Sequence, residues 1–288
     1  KYINVNRLDI SSAYNQSVQV LLNDKADSNP FNELFAGLAG QEPLGLNQIL
    51  SAIDNASKNE NINGILLNPG FFASGFGQAE EIRNCLLNFK KSGKKIIAYS
   101  ENYTEQGYYI ATISNHIFLN PKGLIEFNGL SGGVVMYKGM LDKLGVEFQV
   151  FKVGKFKGAV EPFIQNQLSD ENKIQIKDYI TSIHNHELIK ISEARNLNFD
   201  SLYQISNKGQ VFLSKHALEF KFVDQLGYED EVNSFIESKY KTKKTLSLRK
   251  FLKIESEYAY SENKIAVLYA EGEIVSGIAS QSGSQIAS

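Results

Sequence analysis

Apolar positions along the chain follow two alternating rhythms. From Leu46 to Glu60, residues Leu46, Ile49, Leu50, Ile53 and Ala56 recur at helical spacing, and Gly64-Ile65-Leu66-Leu67 follows as a short run of the kind that a strand buried on both faces carries. After a loop from Asn68 to Gly77, residues Ala79, Ile82, Leu86 and Phe89 mark one face of a second helix, which Gly93 stops before a strand at Lys95 to Tyr99. The order continues with a predicted helix across Tyr108 to Ile113 and a strand at His116 to Leu119. A further helix from Val134 to Leu144 is closed by Gly145 and followed by a predicted strand from Val146 to Phe151. Strands alternating with helices imply right-handed crossovers and an α/β fold with a mostly parallel sheet covered by helices.

Ser169 is positioned to cap the longest predicted helix, with Asp170 and Glu171 in its first turn and apolar spacing through Ile176, Tyr179, Ile180 and Ile183 toward Ile191. A shorter helix fits Ser214 to Phe220. Another fits Tyr228 to Lys241, opened by Glu229, Asp230 and Glu231 and closed by Lys239 and Lys241. The pattern divides the chain into a first domain over residues 1–240, a charged connector over 241–263, and the opening of a second domain over 264–288, whose strand and turn run from Lys264 to Ile274.

Composition narrows the function classes. With 288 residues the chain can bury a large core, and 30 basic against 32 acidic residues give a net charge of -2, which points to neither nucleic acid nor an anionic membrane surface. A single cysteine, Cys85, makes neither an internal disulfide nor a thiolate zinc site. No window approaches the roughly 18 consecutive apolar residues of a membrane helix. The chain starts on Lys1 with no initiator Met and no signal-sequence pattern, and it ends in Ser, Gly, Ala and Gln, so it is read as a piece of a longer protein.

The search for chemistry proceeds by elimination. None of His116, His184, His186 and His216 belongs to an H-E-x-x-H pattern, and His184 and His186, two apart on a helix, are expected to face solvent. Walker A and G-x-S-x-G sequences are absent, and Gly75-Phe76-Gly77 lacks the third glycine of a dinucleotide fingerprint. Cys85 reads as a small buried hydrophobe on its helix. Two segments remain, both after strand ends, where α/β sites gather: the loop Asn68-Pro69-Gly70-Phe71-Phe72-Ala73-Ser74-Gly75, and the lysine-rich run from Lys152 to Phe163. Backbone amides in the first suit an oxyanion, and a lysine in apolar surroundings in the second suits a base. A tight turn and a solvated lysine cluster account for the same residues.

The run Phe151-Lys152-Val153-Gly154-Lys155-Phe156-Lys157-Gly158-Ala159-Val160-Glu161-Pro162-Phe163 resembles the lysine motif of the long-form signal peptide peptidase A family, also called protease IV. Supporting stretches in the same order are Glu101 to Ala111, Ile117 to Gly123, Leu141 to Val146 and Val223 to Gly227. The resemblance covers about Leu46 to Gly227 and implies a ClpP/crotonase-like fold in two tandem copies, a membrane anchor ahead of them, and a bowl-shaped homo-oligomer, with four copies expected. It implies a Ser/Lys serine endopeptidase in which the first copy gives the lysine and the second the serine. Lys157 takes the general-base position; Lys152 and Lys155 do not.

Three further expectations follow from the resemblance. The loop Asn68 to Ser74 occupies the place of the nucleophile loop but lacks its Gly-Gly-Ser form, so it reads as a degenerate copy, Ser74 as a loop or helix-start serine, and the nucleophile as lying beyond Ser288. The implied substrates are cleaved signal peptides and short hydrophobic peptides, with no cofactor, no metal and no nucleic acid partner. The implied location is the outer face of the bacterial inner membrane, through an anchor outside this chain, and the fragment alone is expected to be inactive. Two other classes share the fold: a crotonase-like acyl-thioester enzyme using backbone amides around an enolate, and a non-catalytic assembly or binding module.

Overall fold

Short apolar strands and amphipathic helices assemble as their periodicity requires. The computed structural model describes residues 8–9, 44–70, 72, 75–240, 246–248, 250–252, 273–275 and 285–287. It divides into two compact units, Lys1–Phe127 with Val211–Ser288 and Asn128–Gln210. In chain order the elements are β1 (Leu8–Asp9), α1 (Leu46–Lys58), β2 (Gly64–Asn68), α2 (Phe76–Lys91), β3 (Lys95–Ser100), α3 (Glu105–Ala111), β4 (His116–Leu119) and β5 (Leu124–Phe127). Then come α4 (Lys138–Leu144), α5 (Glu161–Ile164), α6 (Asp170–Arg195), α7 (Phe199–Asn207), β6 (Gln210–Leu213), α8 (Ser214–Glu219), β7 (Gln225–Leu226), α9 (Glu229–Tyr240), β8 (Glu273–Val275) and β9 (Gln285–Ala287).

The first unit carries the parallel sheet, in strand order β1-β2-β3-β4-β7, with Leu66 beside Ile97, Ala98 beside Ile117 and Leu119 beside Leu226. Such strands are buried on both faces, which is why β2, β3 and β4 read as continuous apolar runs. Leu66, Ile97, Tyr99 and Phe118 form one core cluster with Val232 and Ile236 of α9. Full burial of each such side chain contributes about 1.5–3 kcal/mol. A second cluster is aromatic: Tyr108 stacks on Phe222 at 5.3 Å, meets Phe127 edge-on, and donates its hydroxyl proton to the Phe222 carbonyl at 2.8 Å. That one hydrogen bond lets a phenol sit fully buried without an unsatisfied polar group.

The second unit holds α4 to α7. Ser169 caps α6 as its sequence position requires, its hydroxyl accepting from the Asn172 N–H at 3.2 Å. Asn198 caps α7 in the same way, accepting from the Ser201 N–H at 2.9 Å. The unit's buried apolar side chains, Leu188, Ile191 and Leu202, come from α6 and α7.

Three expectations need correction. Residues 146–151 form no strand; their apolar side chains are largely exposed and no described strand pairs with them, so alternation and β-branching there had no sheet to join. The helix expected from Val134 starts only at Lys138. His184 is buried, with Nε2 2.7 Å from the Ser206 hydroxyl, and burial pushes its pKa below the ordinary histidine value. His186 is exposed. Smaller differences are that α3 begins at Glu105, three residues before the expected start, and that Cys85 is only half-buried. The Cys85 Sγ contacts the Leu50 carbonyl at 3.5 Å, and burial, aided by Asp54, pushes the thiol up to about 11. Of the stretch expected to open a second domain, β8 is described, and it pairs in parallel with β9. The rest of Lys264 to Ile274 and most of the connector lie outside the described residues.

Candidate active site

The lysine-rich segment runs through the second unit between α4 and α5 without regular structure until it reaches Glu161. Gly145 closes α4 in a left-handed conformation, and the Val146 N–H donates back to the Leu141 carbonyl at 3.0 Å, so the chain leaves the helix sharply. Beyond it lies an open cleft of about 930 Å³, lined mainly by Val134, Phe151, Val153, Phe156, Ile176 and Tyr179. Lys152 and Lys157 also stand on its wall, and both are exposed. Lys155 points elsewhere and forms a surface ion pair with Glu171 at 4.0 Å. Exposed pairs of that kind contribute little to stability.

Lys157 is held through its backbone. The Lys152 ammonium donates to the Lys157 carbonyl at 3.4 Å. The next residue, Gly158, packs so closely on Asn172 that a Cβ there would come within 2.2 Å of Asn172 Nδ2. Its carbonyl accepts the Glu161 N–H at 2.9 Å, closing a turn directly behind the lysine.

Glu161 belongs to the lysine motif, but the sequence does not name its partners. It is 1% exposed, closed off from water although shallow. Oε1 accepts the Ser169 hydroxyl at 2.6 Å, and Oε2 accepts the Ser169 N–H at 3.0 Å and Asn172 Nδ2 at 3.1 Å. Burial raises the carboxyl's pKa, but the hydrogen bonds from Ser169 and Asn172, with the charge of Lys152, outweigh it and hold the group below the ordinary carboxylate range. One sequence signal was available: an acid followed by Pro162 after Ala-Val marks a helix start.

The second candidate segment follows β2 in the first unit. Phe72 is buried, its N–H donates to the Pro69 carbonyl at 3.0 Å, and Thr104 donates from its N–H to the Gly70 carbonyl at 3.1 Å. Gly107 is required at the start of α3, because a Cβ there would lie 2.6 Å from the carbonyl oxygens of both Pro69 and Gly70. Ser74 lies outside the described residues. Among the described residues no three His, Cys, Asp or Glu side chains group to hold a metal ion, and no helix is long and apolar enough to cross a membrane.

Comparison with known proteins adds context to this geometry. Residues 88–243 match the family described as Peptidase family S49, a span that includes α3, β4, the whole lysine segment and α6. The chain is 31% identical to Protease 4 of Salmonella typhi over 80% of its length and 39% of that protein. It is 29% identical to Protease 4 of Haemophilus influenzae over 80% of its length and 40% of that protein, and 27% identical to the chloroplastic serine protease SPPA of Arabidopsis thaliana over 84% and 37%. The chain thus spans about two fifths of the length of these relatives.

Proposed function

Because this chain belongs to peptidase family S49, we propose that it supplies the general base, Lys157, to a Ser/Lys peptidase that degrades cleaved signal peptides and other short hydrophobic segments. The mostly parallel sheet covered by helices is the ClpP/crotonase-like fold of that family. One observation carries the reading of the site: Lys157, within a segment that resembles the family's lysine motif, stands on the wall of an open cleft lined mainly by apolar side chains.

In the proposed reaction a serine hydroxyl attacks the substrate's peptide carbonyl while the neutral Lys157 amine takes the hydroxyl proton. Collapse of the tetrahedral intermediate breaks the C–N bond, and the lysine returns that proton to the leaving amine. Water then attacks the acyl-enzyme ester, its proton passing through the lysine back to the serine oxygen. By resemblance, the serine lies in a second copy beyond Ser288. A free lysine, with a pKa near 10.4, is charged at neutral pH, so the base must be covered before it works. Lys157 is exposed here, and the covering groups are those of the serine-bearing copy and the bound peptide. The same reading gives an anchored protein on the outer face of the bacterial inner membrane, assembled from four copies, with no cofactor and no nucleic acid partner.

The test compares cleavage of a hydrophobic reporter peptide by the full-length protein, its Lys157→Ala variant and the 288-residue chain. Activity in the full-length protein alone, with turnover in the variant reduced about 10³-fold as for loss of the general base that activates the nucleophile, supports the proposal. Equal turnover in variant and parent sinks the lysine assignment, and cleavage by the short chain returns attention to Ser74.

A further inference from the structure

Lys157 is a long, exposed side chain on an irregular loop, a poor platform for a base that must meet a hydroxyl within hydrogen-bond reach. The loop is nevertheless tied down at one point, four residues on. The Glu161 carboxylate collects three hydrogen bonds at 2.6 to 3.1 Å, all from Ser169 and Asn172 at the start of α6. The turn from Gly158 to Glu161 passes that anchorage back to the residue next to Lys157, and the Asn172 side chain presses on Gly158 from the other side. Lys152 completes the frame by holding the Lys157 carbonyl.

We propose that Glu161 is the positioning residue of Lys157: it fixes the lysine's backbone to the first turn of α6 and so sets where the amine stands relative to an incoming serine. The inference rests on the reading of Lys157 as the base. Its chemistry requires a carboxylate. Three donors converge on two oxygens, so an amide in the same place offers only one accepting oxygen, and at least one of the bonds from Ser169 and Asn172 must be lost or reversed. A negative charge there also complements the positive end of the α6 dipole, and the Lys152 ammonium balances it from the loop side.

The experiment measures kcat, KM and the pH profile of kcat/KM for the full-length protein on a hydrophobic reporter peptide, with thermal melts to count folded molecules. Four variants are compared: Glu161→Gln, Asn172→Ala, Lys157→Ala, and Lys155→Ala as a loop control. Glu161→Gln is expected to lower kcat per folded molecule about 10- to 100-fold with little change in KM, and to move the limb of the pH profile that reports the base, because a displacement of about 1 Å at a reacting group costs that much. Asn172→Ala removes one donor while leaving the Ser169 cap intact, so it lowers kcat about 3- to 10-fold and carries the test where Glu161→Gln fails to fold. A Glu161→Gln or, in that event, Asn172→Ala protein with parental kcat and pH profile overturns the inference, whatever its melting temperature. Parental turnover in Lys157→Ala overturns the base assignment and this inference with it. An inactive Lys157→Ala beside a fully active Glu161→Gln overturns this inference alone.

Discussion

The two units differ most in what becomes of their large apolar side chains. Among the described residues the first buries most of its large apolar side chains, with Ile97, Phe118, Tyr108 and Phe222 each at most 3% exposed, and its buried polar groups are met by backbone ladders and side-chain bonds such as Tyr103 to the Phe118 carbonyl at 2.9 Å. The second leaves more of its apolar surface open. Phe151 is 97% exposed and Val153 86%, while the side chains it hides include Glu161, His184, Glu187 and Ser206. With Leu188, Ile191 and Leu202 as its buried apolar side chains among the described residues, the second unit leans more on specific hydrogen bonds such as those to Glu161, whereas the first adds a large apolar core to its own buried Arg83 and Glu105. Under the proposed function, this open apolar surface is the one offered to substrate and to the serine-bearing copy.

The contrast breaks most easily in the first unit's core. Phe118→Ala is expected to cost about 3–5 kcal/mol, because the cavity sits in a parallel sheet with α9 packed over it and little freedom to collapse. Equilibrium unfolding in denaturant measures this, and a cost under 1 kcal/mol contradicts a tightly packed core. The second unit should respond to acid. Glu161's folded pKa is depressed, so its contribution is fully present above the ordinary carboxylate range and is lost as the pH falls through the folded value. Below pH about 4.5 the parent should therefore lose stability with proton uptake that Glu161→Gln lacks, and identical acid profiles for the two proteins refute that sign. Phe151→Ala should be the mildest change, within about 0.5 kcal/mol of the parent in stability, since the ring has almost nothing to lose. A core-sized cost there would show that the exposed face packs on something in the folded protein.

Most of the first unit was legible because its strands and helices each repeat one simple rule. β2, β3 and β4 are apolar runs short enough to be strands, and α1 and α2 carry unbroken helical stripes between them. In the second unit Ser169 and the long helix it opens were legible, while α7 and its Asn198 cap were not read. Ser169 declared itself as a cap, but nothing in sequence says that a carboxyl eight residues earlier reaches it. The apolar run from Val146 had the composition of a strand, yet a strand exists only with a neighbour to pair, and no local pattern supplies that information. His184 could have been placed correctly: Leu188 and Ile191 stand four and seven residues on, so the histidine shares their buried stripe. Lys157 is singled out by the family motif alone, since in its surroundings it is one exposed lysine among three.

The 26 residues of α6 have one further consequence, in mechanics. The helix's buried residues, His184, Glu187, Leu188 and Ile191, all lie in its C-terminal half, while Ser169 and Asn172 at its other end hold the lysine loop. At 1.5 Å of rise per residue, about 21 Å of helix separates that root from Asp170 at the tip. The helix is buried most fully toward its C-terminal end, while its N-terminal half, where Ile176 and Ile180 meet Gly132, is only partly covered and carries the proposed base at its tip. A tilt of about 5° at the root would carry the tip by about 2 Å, so under the proposed function the packing around His184 and Ser206 becomes a lever on where Lys157 stands.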